Sequence, residues 1–224
     1  MRDLFADDES LPQQWQETLC PGAMILRGYA ADMAEQIFRE IGCLTDVSPF
    51  RHLVTPGGHT MSVSMTSCGA LGWMSDELGY RYTPVDPLTG RPWPAMPVFF
   101  RLLAENAAAT AGYTGFCPDA CLVNRYTPGS GLSLHQDKNE RDMSQPIVSV
   151  SLGMTATFLF GGTQRDAPRR RFPLVQGDVM VWGGQARLNF HGVMPLKETL
   201  PPWPLQEMVR YNLTFRRVMP PGVK

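Results

Sequence analysis

The chain is poor in histidine and holds no paired cysteine motif. Only four histidines occur in 224 residues: His52, His59, His135 and His191. A metal site built on imidazole therefore has few candidate ligands. The five cysteines, Cys20, Cys43, Cys68, Cys117 and Cys121, are odd in number and scattered, with no CxxC pair. That spacing argues against a thiolate zinc module or a disulfide framework and fits reduced thiols in the cytoplasm. No apolar run approaches the roughly 20 residues that cross a bilayer. The opening stretch MRDLFADDES is acidic and has no apolar core, so it does not read as a secretory signal. An excess of one charge is missing too: 20 basic and 21 acidic side chains leave a net charge of −1. This argues against a broadly basic nucleic-acid surface but leaves room for a local basic face. Repeats and low-complexity segments are absent.

What is present reads as one α+β unit. Residues 1–20 look like a loosely attached arm. ADMAEQIFREIG reads as a helix with Asp32 as N-cap, Glu35 as its capping-box partner and Gly42 as its end. Its stripe of Met33, Ile37 and Ile41 reads as core packing. Residues 48–97 are rich in Gly, Pro, Ser and Thr with aromatics between them. There TMSVSMT alternates as a strand and PLTGRP reads as a turn, amid long loops. A second helix is expected over 98–111, closed by Gly112. The last hundred residues hold eight short candidate strands, beginning at ACLVNRY and ending at EMVRYNLTFRRV, with Gly, Pro or Asp turns between them. Such spacing points to a sandwich or double-sheet barrel.

LSLHQDKNE carries His135 and Asp137 two residues apart. Alone, it reads equally as a polar turn. If the chain stays extended, the two side chains share a face and can meet one metal ion. His191, in LNFHGV, is the best third ligand. Two imidazoles and one carboxylate with open positions form the facial triad of non-haem Fe(II) oxygenases. His52 and His59 precede the β-rich part and have no carboxylate at ligand spacing. RYNLTFR places Arg210, Asn212, Thr214 and Arg216 on one face and Tyr211, Leu213 and Phe215 on the other. The polar face is either the outside of an edge strand or an inward row that needs an anion, such as a dicarboxylate. The basic cluster QRDAPRRRF, with Arg165, Arg169, Arg170 and Arg171, reads as a solvated loop or a phosphate contact.

Seven motifs occur in order: NRYTPG, LSLHQDKNE, PIVSVSLG, FLFGG, GDVMVWGG, FHGV and RYNLTFR. Together they closely resemble the AlkB family of alkylation-repair dioxygenases in its bacterial form. TPGGHTMSVSMTSCGALGW, GYRYTPVDP and RPWPAMP extend the likeness, which covers roughly residues 20–216. The resemblance implies a double-stranded β-helix, or jelly roll, with N-terminal helices and a nucleotide-recognition lid. It divides the chain into an arm (1–20), helices and lid (21–118) and a dioxygenase core (119–220), integrated as one domain. It implies Fe(II) on His135, Asp137 and His191, with O2 as oxidant. It places 2-oxoglutarate against Leu122, Asn124, Tyr126, Arg210, Asn212 and Arg216. Trp73, Tyr80, Arg81 and Tyr82 would wall the substrate base, and Arg165 would contact substrate. The implied reaction is oxidative demethylation of N-alkylated bases in single-stranded or flipped-base DNA, or in RNA, releasing formaldehyde, succinate and CO2. The alternative is the same oxygenase chemistry on a substrate other than nucleic acid. No membrane partner is implied, and a monomer is the default. Asn139 departs from the family pattern, which commonly has a second Asp there, near the base. An amide donates as well as accepts, whereas a carboxylate only accepts, so base choice is the property this position bears on. Asn189 stands where the family often has an aromatic residue.

Overall fold

The computed structural model describes residues 14–200 and 202–220. Its elements in chain order begin with β1 (Trp15–Cys20), β2 (Ala23–Arg27), α1 (Ala34–Val47), β3 (Arg51–Val54) and β4 (Thr60–Gly69). Next come β5 (Gly72–Asp76), β6 (Gly79–Thr83), β7 (Val85–Asp86), β8 (Arg91–Pro92) and α2 (Val98–Thr110). The last eight strands are β9 (Ala120–Tyr126), β10 (Leu132–His135), β11 (Ile147–Gly153), β12 (Ala156–Phe160), β13 (Arg170–Leu174), β14 (Val179–Trp182), β15 (His191–Val193) and β16 (Arg210–Arg216). Each of the eight falls within a run expected from the sequence.

These eight strands divide between two sheets, four in each. β9, β11, β14 and β16 enter a large sheet ordered β1-β2-β14-β11-β16-β9-β4-β3, and β10, β12, β13 and β15 form a small one ordered β10-β15-β12-β13. The large sheet carries apolar side chains on its outer face. Val148, Val150 and Leu152 of β11, Leu213 and Phe215 of β16 and Val123 of β9 pack there against Ile37, Ile41, Phe100 and Leu103 of the two helices. The inner row of β16 is the polar one, so its alternation places Arg210 and Arg216 toward the small sheet. A second apolar cluster, with Ile25, Phe158, Phe160, Phe172 and Trp182, fills part of the space between the sheets. A third joins the hairpin region to the core through Met74, Trp93, Leu122 and Tyr126.

Three expectations are corrected. Residues 1–13 of the expected arm lie outside the described residues, but Trp15–Cys20 is a strand, paired antiparallel with β2. Arg27 fastens it by bonding Glu17 at 2.9 Å and Asp178 at 2.6 Å. Asp32 does not cap α1: it lies within a short 3-10 turn, Ala31–Met33, and no side-chain cap bond is made. Nor does Gly42 end the helix, which runs on to Val47. Glycine costs about 1 kcal/mol inside a helix. Leu44, one turn beyond Ile41, is buried in the core and outweighs that cost. α2 does stop near Gly112, which takes the left-handed conformation at φ 88°.

The segment 51–92 holds more strand than its loop-like composition suggests. β3 and β4 extend the large sheet, β5 and β6 pair as a hairpin, and β7 and β8 flank the expected turn at 87–90. Among the described residues no helix is long and apolar enough to cross a membrane.

Candidate metal centre

The register of the small sheet sets His135 of β10 directly opposite His191 of β15. Their ring centroids are 4.4 Å apart. Asp137 follows just after β10 ends, outside the strand. It nevertheless meets both rings: His191 Nε2 lies 3.5 Å from its Oδ2, and His135 Nε2 lies 3.9 Å from its Oδ1. Ligand atoms of the three residues all lie within 4.8 Å of one another. His52 and His59 are exposed and stand apart from this cluster.

The outer nitrogens of both rings are already used. His135 Nδ1 is 2.8 Å from the carbonyl of Ser133, and His191 Nδ1 is 3.0 Å from that of Asn189. A carbonyl only accepts, so each Nδ1 carries the proton and each Nε2 presents a lone pair toward Asp137. Trp182 and Phe158 brace the His191 ring at centroid distances of 5.1 and 5.9 Å. Two neutral imidazole nitrogens and a carboxylate oxygen suit Fe(II) and leave positions for other ligands.

Electrostatics keep the cluster ready for a cation. Burial opposes the Asp137 charge, but the Arg216 guanidinium outweighs it and holds the carboxyl well below its usual range. Burial, and then the field of His191, push His135 down to about 4, although 38% of its side chain remains accessible. The ring is neutral and able to ligate throughout the neutral range. The folded state thus binds fewer protons at His135 than the unfolded chain does. The metal-free protein therefore loses stability as pH falls from about 6.5, the ordinary histidine value, toward 4. Urea unfolding of the metal-free protein and a His135→Gln variant between pH 7 and 4.5 checks this. The variant's midpoint falls less on acidification, and equal falls in both proteins would contradict the assignment.

Beside the cluster lie the inward rows of β9 and β16, in register as Asn124↔Asn212 and Tyr126↔Arg210. Asn212 donates to Ser149 Oγ at 2.7 Å, while the buried Asn124 Oδ1 has no hydrogen-bond partner. Leu122 continues this row and Tyr126 is fully buried. Arg216 donates to Asp137 Oδ2 at 2.8 Å. Arg210 is 1% exposed and has no ion-pair partner among the described residues. It donates to Ser151 Oγ at 2.8 Å and to the Met154 carbonyl at 3.3 Å, and its Nε is unpartnered. Burial pulls its guanidinium down to about 10, so it stays cationic at neutral pH. A buried cation with free donors fits a dicarboxylate such as 2-oxoglutarate.

Of the residues expected to wall a base, two meet on the β5–β6 hairpin. Trp73 stacks on Tyr80 across the β5–β6 hairpin, centroids 5.7 Å apart and planes 16° off parallel. Tyr82 reaches inward and donates to Glu140 Oε1 at 2.5 Å. Arg81 is not brought with them: its alternation points it away, and it bonds Asp76 at 2.5 and 2.6 Å. Asn139 is exposed. Arg165 lies beside β10, donating to the Leu134 carbonyl at 3.2 Å and standing 5.8 Å over the Phe190 ring. Arg170 turns away to stack on Phe172 at 4.7 Å. Sequence reasoning missed Glu140 and Arg187, both buried behind Asp137.

Comparison with known proteins agrees with this geometry. The family model described as the 2OG-Fe(II) oxygenase superfamily matches residues 22–216. The Escherichia coli K12 alpha-ketoglutarate-dependent dioxygenase AlkB is 56% identical over 217 residues, covering 97% of this chain and 98% of that protein. The chain belongs to the AlkB family of 2OG-Fe(II) oxygenases. An AlkB homolog from Caulobacter vibrioides is 42% identical over 204 residues, 89% of each chain. The solved structure of OsALKBH1 superposes with a TM-score of 0.78 at 30% identity, covering 91% of this chain and all of that one. As an AlkB-family dioxygenase the protein uses Fe(II), 2-oxoglutarate and O2.

Proposed function

We propose that this dioxygenase oxidatively demethylates N-alkylated bases of the 1-methyladenine and 3-methylcytosine type in DNA, or in RNA. The observation that carries the proposal is the joining of two sites through Arg216. The same inward face of β16 bears the unpaired cation Arg210 and the guanidinium bonded to Asp137. His135, Asp137 and His191 would hold the iron. Arg210, Asn212, Arg216, Asn124 and Tyr126 would hold 2-oxoglutarate, with Leu122 lining its bed. When bound, iron with 2-oxoglutarate and O2 supplies an oxidant strong enough for an N-methyl C–H bond, which no side chain here can break by proton transfer. The chain's own part is to aim the methyl group, orient both histidines and keep water out. Formaldehyde, succinate and CO2 would be the products.

The reading takes the β5–β6 hairpin as a nucleotide-recognition lid over a double-stranded β-helix. Its support is the strand order of the two sheets and the reach of Tyr82 from hairpin to core. Because β2, β3 and β4 share the large sheet with core strands, residues 21–118 and 119–220 are proposed to act as one domain. A base that has left its stack, in single-stranded nucleic acid or by flipping, would lie on Trp73, with Arg165 at its flanking backbone. The proposal takes the protein as a monomer in the cytoplasm, in keeping with five free thiols.

The test incubates the enzyme with iron, 2-oxoglutarate, ascorbate and an oligonucleotide carrying 1-methyladenine or 3-methylcytosine. Loss of one methylene from the oligonucleotide, read by mass, is expected. No loss with 2-oxoglutarate turnover intact would move the substrate outside nucleic acid. In the same assay Trp73→Ala should lower kcat/KM roughly 10- to 100-fold, the worth of one stacked base, while uncoupled 2-oxoglutarate turnover holds. Asn139→Asp should reorder the preference among methylated and etheno bases at constant uncoupled turnover. An unchanged ranking would remove Asn139 from base selection.

A further inference from the structure

Two buried charges stand behind the metal cluster without being ligands in it. Glu140 is 6% exposed and Arg187 is 3% exposed. Every nitrogen of the Arg187 guanidinium is committed to the loop that follows β10. Nη1 donates to the Asp137 carbonyl at 2.7 Å, Nη2 to Glu140 Oε2 at 3.0 Å and Nε to the Gln145 carbonyl at 3.1 Å. Glu140 Oε1 accepts from Tyr82 and lies 3.2 Å from Arg216 Nε. That last approach is an ion pair without hydrogen-bond alignment, since Arg216 Nε has no hydrogen-bond partner. Arg216 then bonds Asp137.

The buried charges therefore alternate in a row: Arg187, Glu140, Arg216, Asp137. Their sum is zero. Without Glu140 two guanidinium groups would stand behind one carboxylate, at the place where a divalent cation must bind. Like charges in a low-dielectric site interact strongly, because water cannot screen them.

We propose that Glu140 is a positioning residue for the iron site: it neutralises Arg187 and Arg216 behind Asp137 and so sets the balance between cation and dicarboxylate affinity. The proposal rests on the assignment of His135, Asp137 and His191 as metal ligands. Its signature is one of sign. Removing the Glu140 charge weakens the cation and spares or tightens the anion. Removing the Arg187 charge does the reverse. Damage to packing alone weakens both.

The experiment measures Mn(II) binding by calorimetry without oxygen, then 2-oxoglutarate binding to the Mn(II)-loaded protein. Glu140→Gln keeps the side-chain shape and should weaken Mn(II) about tenfold or more, with 2-oxoglutarate unchanged or tighter. Glu140→Asp keeps the charge and should bind Mn(II) much as the parent does. The double variant Glu140→Gln with Arg187→Met removes one charge of each sign and should recover most of the lost Mn(II) affinity, a coupling that independent sites would not show. Parallel loss of both ligands in Glu140→Gln, or no recovery in the double variant, overturns the proposal. If Glu140→Gln fails to fold, wild-type-like Mn(II) binding by the double variant still supports it, and weak binding refutes it. A parent protein that binds neither Mn(II) nor 2-oxoglutarate would instead overturn the ligand assignment itself.

Discussion

Asp137→Asn is expected to abolish turnover and to weaken divalent-metal binding by about two to three orders of magnitude, the cost of breaking a buried ion pair. The amide keeps the size of the side chain and one oxygen donor. It loses the charge, and that loss counts twice. First, the cation gives up the single anionic oxygen donor of the cluster, leaving two neutral imidazoles. Second, Arg216 loses the partner it holds at 2.8 Å and becomes a net positive charge beside the metal position. His135 and His191 keep their bonds to the carbonyls of Ser133 and Asn189, so ring orientation survives. The loss is therefore electrostatic and not one of geometry. Anaerobic Mn(II) titration of parent and variant separates the two. Parent-like Mn(II) affinity in Asp137→Asn would show that the carboxylate is not a ligand.

The parts of this site that were legible in the sequence are those with a short period or a fixed spacing. RYNLTFR declares its two faces by alternation, and packing of Leu213 and Phe215 under the helices decides which face turns inward. His135 and Asp137 were legible as a pair, although the strand argument was only half right. β10 ends at His135, and Asp137 arrives from the irregular chain beyond it. What holds that irregular chain was not legible. Glu140 reads as part of a charged turn and Arg187 as the start of the candidate strand RLNFHGV; neither shows as buried, because burial of a charge leaves no periodic trace. The available signal was indirect: a carboxylate three residues past a candidate ligand, and an arginine four residues before His191. In the helices, local signals lost to packing. Gly42 and Asp32 are a proper stop and start in isolation, but Leu44 extends the buried stripe by another turn. The strand Trp15–Cys20 was hidden for the same reason, since its partner Ala23–Arg27 fixes it through register and the Arg27 bonds and not through propensity.

Arg210→Met gives the second large effect, and it has opposite signs in two measurements. The 2-oxoglutarate affinity should fall roughly 10- to 100-fold, the worth of a charge-assisted hydrogen bond. The thermal stability of the cofactor-free protein should hold or rise. The reason lies in what Arg210 touches when no dicarboxylate is bound. Its partners are a serine hydroxyl and a carbonyl, both neutral, and its Nε has none. Asp178 acts on it only at longer range, being engaged by Arg27 and the backbone of Gly28. A fully buried cation in that position costs stability, which a bound carboxylate returns, while an apolar side chain of similar length avoids the cost. Arg210→Lys should not restore affinity, because a point ammonium cannot span the donor positions of the planar fork. Calorimetric titration with 2-oxoglutarate and a melting curve without it give the two readings. If Arg210→Met loses stability and affinity together, the guanidinium is a structural member of the core and the dicarboxylate binds elsewhere. If stability holds while affinity falls, the row of β16 is built around an anion that the folded chain does not itself provide.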